Sequence, residues 1–109
     1  MTSPLQITTD RLADGKRQLT VTGEIDLGNA AYFKEELGAA LQPGPRLLVD
    51  LTGVEYLDSA ALAVLFTYAD RIEIRIAPLN EYLLTVCGLT QLTDVEVVRP
   101  DPSSVEPSE

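Results

Sequence analysis

One short segment near the middle of the chain restricts the fold more than any other. Leu47-Leu48-Val49 is apolar at every position and runs directly into Asp50-Leu51. The side chains of a strand alternate between its two faces, so a continuous apolar run suits a strand that is covered on both faces. Such a strand belongs in the middle of a sheet packed against helices. The segment therefore predicts an α/β domain with this strand at its centre.

The segments on either side alternate between strand-like and helix-like patterns. Strands are expected at Leu5–Leu12, Arg17–Gly23, Leu47–Leu51, Ile72–Ile76 and Asp94–Val98. Helices are expected at Asn29–Leu41, Ala60–Ala69 and Asn80–Cys87. A turn at Asp14-Gly15 makes the first two strands a hairpin. This order predicts an α/β fold with a mixed β-sheet of about five strands packed with three to four helices.

Local patterns add finer expectations. Gly23–Gly28 and Thr52–Leu57 are expected to be loops that lead into the first and second helices, with Asn29 as the N-cap of the first. The second helix is apolar on nearly all sides, which predicts that it is largely buried. Gly88 is expected in the left-handed conformation that ends many helices. The buried stripe of the third helix is expected to consist of Leu79, Leu83 and Val86.

The length of 109 residues suits a single domain. We expect this domain over residues 1–99, followed by a disordered, acidic and proline-rich tail over residues 100–109, which carries one apolar side chain. The single cysteine, Cys87, argues against a disulfide-stabilised secreted scaffold. No signal peptide and no apolar run of the ~20 residues needed for a membrane span is recognisable, so we expect a cytoplasmic protein with no membrane association.

Charge and composition narrow the function. Eight basic and seventeen acidic residues give a formal net charge of −9, so no direct contact with nucleic acid is expected. The chain has no histidine, which excludes Ser-His-Asp and Cys-His catalysis and removes the commonest metal ligand. We therefore expect no enzyme activity, cofactor or metal. The weaker alternative is a Mg²⁺-dependent enzyme that uses Asp26, Asp50 and Asp58 as ligands.

The most informative position is Ser59, which directly follows Asp58 at the start of the second predicted helix. Backbone N–H groups at a helix N-terminus lack intrahelical partners, so a phosphate on Ser59 would gain hydrogen bonds and about 0.3–1 kcal/mol from the helix dipole. The same phosphate would add about −1.5 to −2 charge to the surface. The local pattern alone favours the ordinary interpretation, in which Asp58 is a cap that accepts from the N–H groups two or three residues on.

Four segments together resemble the signature of the STAS family, which is named for sulfate transporters and anti-sigma factor antagonists. They are Gly23-Glu24-Ile25-Asp26-Leu27, Asp50-Leu51-Thr52-Gly53-Val54, Asp58-Ser59-Ala60-Ala61-Leu62 and Leu83–Leu89. The resemblance covers roughly Leu5–Val98. It implies a stand-alone anti-sigma factor antagonist whose partner is an anti-sigma factor serine kinase, a histidine-kinase-like ATPase.

In such a switch, the unphosphorylated antagonist binds the kinase, the phosphorylated form releases it, and a serine phosphatase resets the cycle. The resemblance makes Ser59 the phosphorylated residue. It places partner-binding residues at Asp26, Asp58, Ser59, Ala60 and Ala61. For Asp26, a loop carboxylate that caps the following helix is an equal alternative.

Two positions depart from the family pattern. Ala61 replaces the usual glycine, which would place a methyl group close to Ser59 and to the approach path of the kinase. The connection Ala69-Asp70-Arg71 is shorter than usual. Both departures favour the alternative function, a constitutive STAS scaffold subunit of a lipid-transport ATPase or of a signalling complex.

Overall fold

The computed structural model describes residues 4–99, so the expected tail at residues 100–109 lies outside the described part. The strands are β1 Gln6–Arg11, β2 Arg17–Ile25, β3 Leu47–Leu57, β4 Ile72–Ile76 and β5 Asp94–Val97. The helices are α1 Ala30–Ala40, α2 Ser59–Thr67 and α3 Pro78–Val86. Single 3₁₀ turns at Ala69–Arg71 and Leu89–Gln91 follow the second and third helices.

The strands form one mixed sheet in the order β1-β2-β3-β4-β5. β1 and β2 are the predicted antiparallel hairpin, and each later strand pairs parallel to its neighbour. Each parallel pair is joined by a helix, as a parallel crossover requires. The predicted α/β fold with a five-stranded mixed sheet is confirmed, and the Leu47–Leu51 segment does lie in the central strand.

The two faces of the sheet differ sharply in polarity. Residues in register point to the same face, and Leu19, Val49 and Ile74 on one face are at most 1% exposed and belong to the core shared with the helices. On the other face Leu48 is in register with Glu73, which pairs with Lys16. Leu47, Leu48 and Val49 are nevertheless all at most 6% exposed, so the expected burial of both faces of this strand segment is confirmed. The domain has two layers, with all its helix packing on one side.

Two segments expected to be loops form strand: Thr52–Leu57 lies wholly within β3, and Gly23–Gly28 belongs to β2 as far as Ile25. β2 continues to Ile25 and β3 to Leu57, and these ends pair with each other in parallel. The pairing contains register shifts, which break the regular alternation that sequence analysis relies on. Burial of Ile25 and Leu57, at 0% and 4% exposure, explains why the extension forms.

Gly88 has φ +88° and therefore confirms the predicted left-handed end of α3. Gly23 carries a stronger constraint, since it has φ +96° and a Cβ built on it would lie 2.0 Å from the backbone oxygen of Pro4. A left-handed backbone and close contact with another segment both require glycine. The end of β2 thus depends on the absence of a side chain at residue 23.

The second helix is less buried than its composition suggests. α2 buries Ala61, Val64 and Leu65, whereas Ala63 is exposed and Phe66 is 37% exposed. Because the helix lies on one face of a two-layer domain, only one side of it meets the core. The expectation of a largely buried helix is therefore wrong for its outer side.

The expected buried stripe of the third helix is also wrong. Leu79 and Val86 are 66% and 62% exposed, and Leu83 is only half-buried. The buried face instead carries Asn80 and Leu84. Burial of a polar Asn among apolar neighbours was not foreseen from hydropathy, and it rotates the helix relative to the predicted orientation.

Candidate functional site

Ser59 is the first residue of α2 and its side chain is exposed. Asp58 is the N-cap, and its Oδ1 accepts hydrogen bonds from the N–H groups of Ala60 at 2.9 Å and Ala61 at 3.2 Å. The predicted cap is confirmed. The hydroxyl that the sequence singled out therefore stands at the accessible start of a capped helix.

The cap changes what a phosphate on Ser59 would meet. The N–H groups of Ala60 and Ala61 already have a carboxylate partner, and the N–H of Leu62 donates to the backbone oxygen of Asp58 at 3.1 Å. The expectation that a phosphate would find these groups unpaired is therefore wrong. A phosphate on Ser59 must compete with Asp58 for donors and is repelled by its charge.

The second oxygen of Asp58 reaches another element. Oδ2 accepts from the backbone N–H of Leu27 at 2.9 Å, and the backbone N–H of Asp58 donates to the oxygen of Ile25 at 3.1 Å. The carboxylate thus joins the start of α2 to the loop between β2 and α1. Sequence analysis missed this contact, because residues 27 and 58 are far apart in the chain and no local pattern relates them.

Asp26 lies in that loop and is half-buried. Its Oδ1 accepts from the N–H of Gly28 at 2.9 Å, and its backbone oxygen accepts from the N–H of Ala30 at 2.8 Å. The Asn29 side chain accepts from the N–H of Asp26 at 2.9 Å and donates to the oxygen of Glu24 at 3.0 Å. Asn29 therefore occupies the predicted N-cap position but makes no side-chain hydrogen bond to the helix. Asp26 shapes the loop next to Leu27.

The two alanines after Ser59 are not equivalent. Ala60 is half-buried, whereas Ala61 is 0% exposed and belongs to the hydrophobic core. The expectation that the Ala61 methyl group lies near the approach path of a kinase is therefore wrong, because the third position of α2 faces the core. Ala61 cannot offer its side chain to a partner from this position.

A large apolar side chain accompanies Ser59 at the surface. Leu27 is 81% exposed in the loop before α1, and its N–H donates to Asp58. We call Asp26, Leu27, Asp58 and Ser59 the Ser59 surface. Tyr56 is 51% exposed but does not belong to it, because it neighbours the buried Leu57 in β3 and so points to the opposite face of the sheet. The ion pairs formed among residues 4–99 include neither Asp26 nor Asp58. The surface thus combines an exposed apolar side chain with negative charge, which suits recognition by a protein.

The three aspartates of the enzyme alternative do not form a metal site. Asp50 Oδ1 accepts from the N–H and the hydroxyl of Thr52 at 2.9 and 2.7 Å, while Asp26 and Asp58 bond to other backbone groups. Within residues 4–99, no cluster of three or more acidic or cysteine side chains is placed to hold a metal ion. The helices of this part of the chain are also too short or too polar to cross a bilayer.

Comparison with known sequences agrees with the family resemblance. The sequence model of the family described as "Mlab, STAS domain" matches residues 8–94. The anti-sigma-F factor antagonist RsfB of Mycobacterium tuberculosis is 37% identical over 75 residues, which cover 66% of this chain and 61% of that protein. The matched part thus spans less than two thirds of the length of this relative.

Solved structures share the architecture. An anti-sigma factor antagonist from Mycobacterium paratuberculosis has a TM-score of 0.74 at 22% identity, with 92% of this chain and 89% of that chain covered. The anti-sigma factor antagonist SpoIIAA in its unphosphorylated form has a TM-score of 0.59 at 10% identity, with 88% of each chain covered. At these identities the likeness shows the fold.

Proposed function

The chain belongs to the STAS family, and from this premise we propose that it is an anti-sigma factor antagonist that works by partner switching. The observation that supports this function most directly is the exposed hydroxyl of Ser59 at the start of α2, next to Asp58. A hydroxyl in this position is accessible to a kinase and borders a surface that can dock. The identity to a named antagonist supports the same role.

In the proposed cycle, unphosphorylated Ser59 docks in an anti-sigma factor that is also a serine kinase with bound ATP. Ser59 Oγ attacks the γ-phosphorus of ATP, a new O–P bond forms, and the bond to the leaving ADP breaks. The hydroxyl proton passes to a base on the kinase. A serine phosphatase later transfers the phosphoryl group to water, which restores the hydroxyl and leaves inorganic phosphate.

Phosphorylation would change the Ser59 surface through charge. The phosphate adds about −1.5 to −2 charge beside the carboxylates of Asp26 and Asp58. Like charges repel, and desolvating such a cluster in an interface costs free energy. The phosphorylated form therefore releases its partner. The chain itself needs no catalytic group, cofactor or nucleic-acid contact for this role, and we propose that it acts in the cytoplasm.

A phosphorylation assay with the cognate kinase and ATP tests the proposal. Wild-type protein is expected to incorporate one phosphate, and Ser59→Ala none. Thr67→Ala is the matched control, because Thr67 is an exposed hydroxyl residue at the other end of the same helix. If Ser59→Ala is labelled as strongly as Thr67→Ala, Ser59 is not the phosphorylated residue and the switch must be abandoned.

The second candidate is a constitutive scaffold subunit. The matching family model is described as "Mlab, STAS domain" and not as an antagonist, and this description is the observation that favours a scaffold. A scaffold needs the fold and a docking surface but no change of charge at Ser59. Equal partner affinities of wild-type protein and Ser59→Asp would support the scaffold and count against the switch.

A further inference from the structure

Leu27 has the most exposed large hydrophobic side chain among residues 4–99, at 81%. A single exposed leucine needs no explanation by itself. Leu27 is distinguished by its backbone, because its N–H donates to the carboxylate of Asp58, the residue directly before Ser59. The most exposed apolar group of the Ser59 surface is thus connected to the start of the helix that carries the hydroxyl.

We propose that Asp58 is a positioning residue that couples the state of Ser59 to the place of Leu27, an inference that rests on the proposed function of Ser59. Its two oxygens have separate tasks. Oδ1 caps α2 through Ala60 and Ala61, and Oδ2 fixes the loop through Leu27. One carboxylate therefore binds both the helix that carries Ser59 and the loop that presents the apolar side chain.

One backbone bond, from the N–H of Asp58 to the oxygen of Ile25 at 3.1 Å, joins the end of β2 to the start of α2 and does not involve the Asp58 carboxylate. The remaining hydrogen bonds of the loop do not reach α2. Among the described residues, those of Asp26, Gly28 and Asn29 stay within the loop, the first turn of α1 or the end of β2. The bond between Leu27 and Asp58 is also solvent-exposed, so its net strength is modest and a small perturbation can break it. These two features make it suitable as a switch.

A phosphate on Ser59 weakens this bond in two ways. It places a negative group next to the carboxylate of Asp58, and the two like charges repel each other. Its oxygens also compete with Asp58 for the N–H groups of Ala60 and Ala61, and a carboxylate displaced from the cap moves away from Leu27 as well. Phosphorylation thus adds negative charge to the Ser59 surface and also frees the loop that carries Leu27.

The test is a double-mutant cycle on the isolated protein, read out as the water-exchange rate of the Leu27 amide by NMR. Asp58→Ser separates the two tasks, because serine caps helices about as well as aspartate but has a single side-chain oxygen. Phosphoserine is installed at residue 59 by semisynthesis in both backgrounds, so no kinase is required. The Gly28 amide, which bonds to Asp26, is the internal reference.

Phosphoserine is expected to speed Leu27 exchange about tenfold in the Asp58 background. Asp58→Ser is expected to speed it by a similar factor, and phosphoserine should then add little. An equal effect of phosphoserine in both backgrounds would overturn the coupling. If Asp58→Ser and the second variant Asp58→Thr both leave Leu27 exchange at the wild-type rate, the positioning role is wrong.

Failure of this inference can be distinguished from failure of the proposed function. Exchange at Leu27 is measured without a partner, whereas the switch itself fails if partner affinity does not respond to modification of Ser59. Thermal unfolding of the Asp58 variants checks that the cap is retained. If Asp58 only stabilised the fold, its replacement would lower the melting temperature. Phosphoserine would then change Leu27 exchange by the same factor with and without Asp58.

Discussion

Asn80 donates a hydrogen bond from Nδ2 to the backbone oxygen of Val54 at 3.0 Å, with the bond buried between α3 and the end of β3. This contact connects the third helix to the strand extension that leads to Ser59. It also explains why a polar residue is buried on a helix whose leucine and valine at Leu79 and Val86 face solvent. The bond determines which side of α3 faces the core.

Asn80→Ala is therefore expected to lower the free energy of unfolding by about 1–3 kcal/mol, because it removes a buried hydrogen bond to the Val54 oxygen. Urea denaturation at constant m-value measures this change. Tyr82→Ala is the matched control, since Tyr82 is 77% exposed on the same helix. Equal midpoints for the two variants would show that the buried bond contributes nothing.

Leu84 and Val86 test the orientation of α3 directly. Leu84 is 0% exposed, so Leu84→Ala is expected to cost about 2–5 kcal/mol. Val86 is 62% exposed, and Val86→Ala should change stability by less than about 0.5 kcal/mol. Chemical denaturation of both variants measures the difference. The reverse order would support the orientation that the sequence alone predicts.

Gly23→Ala is expected to destabilise the domain more than Gly15→Ala. Both glycines have positive φ, at +96° and +87°, so both substitutions strain the backbone, by about 1 kcal/mol each. Only at Gly23 does an added Cβ meet other atoms, since nothing lies within 4 Å at Gly15. Thermal unfolding compares the two variants. A similar drop in melting temperature for both variants would mean that the Pro4 backbone can move away from the added Cβ at no cost in stability.

Ser59→Asp is expected to weaken binding to the cognate kinase by about tenfold or more, since it adds a negative charge beside Asp26 and Asp58. Ser59→Ala should bind like wild-type protein, because the hydroxyl of the unmodified chain is exposed and carries no charge. Isothermal titration calorimetry gives both affinities. Thr67→Asp controls for net charge. An equal loss of affinity in that variant would show that the effect comes from net charge and not from the position of Ser59.

Ala61→Gly restores the usual family residue. Ala61 lies in the first turn of α2 and is fully buried, and glycine is a poorer helix former than alanine. The change is therefore expected to cost about 1 kcal/mol of stability. The initial rate of Ser59 phosphorylation should stay at the wild-type value, since no methyl group is removed from the surface. A faster reaction in Ala61→Gly would show that the methyl group does obstruct the kinase.

Patterns that depend on near neighbours in the chain were predicted well. The apolar run at Leu47–Leu51 identified the central strand, Asp58 identified the cap of α2, and Gly88 identified the end of α3. In each case the physical cause is local: side-chain alternation, a carboxylate within reach of helix N–H groups, and a left-handed backbone. Asn29 is an exception, because its side chain bonds to Asp26 and Glu24 in the preceding segment and not to the N–H groups of α1.

Features that depend on distant residues were not predicted. The extended pairing of β2 with β3 is interrupted by register shifts, so Thr52–Leu57 lacked a strand pattern. The contact between Leu27 and Asp58 joins separate segments, and the rotation of α3 follows from the Asn80 bond. Hydropathy also could not tell that Ala61 faces the core while Ala63 faces solvent. Tertiary packing decided these cases.

The face of the sheet on which no helix packs has a practical consequence for experiments on this domain. Arg75 and Glu96 form an ion pair there at 3.1 Å, and the half-buried Thr20 is in register with Asp50 on the same strand layer. This side is turned away from α2 and from the residues that would meet a kinase. A fluorophore or a surface tether attached there would leave docking at the opposite layer unobstructed.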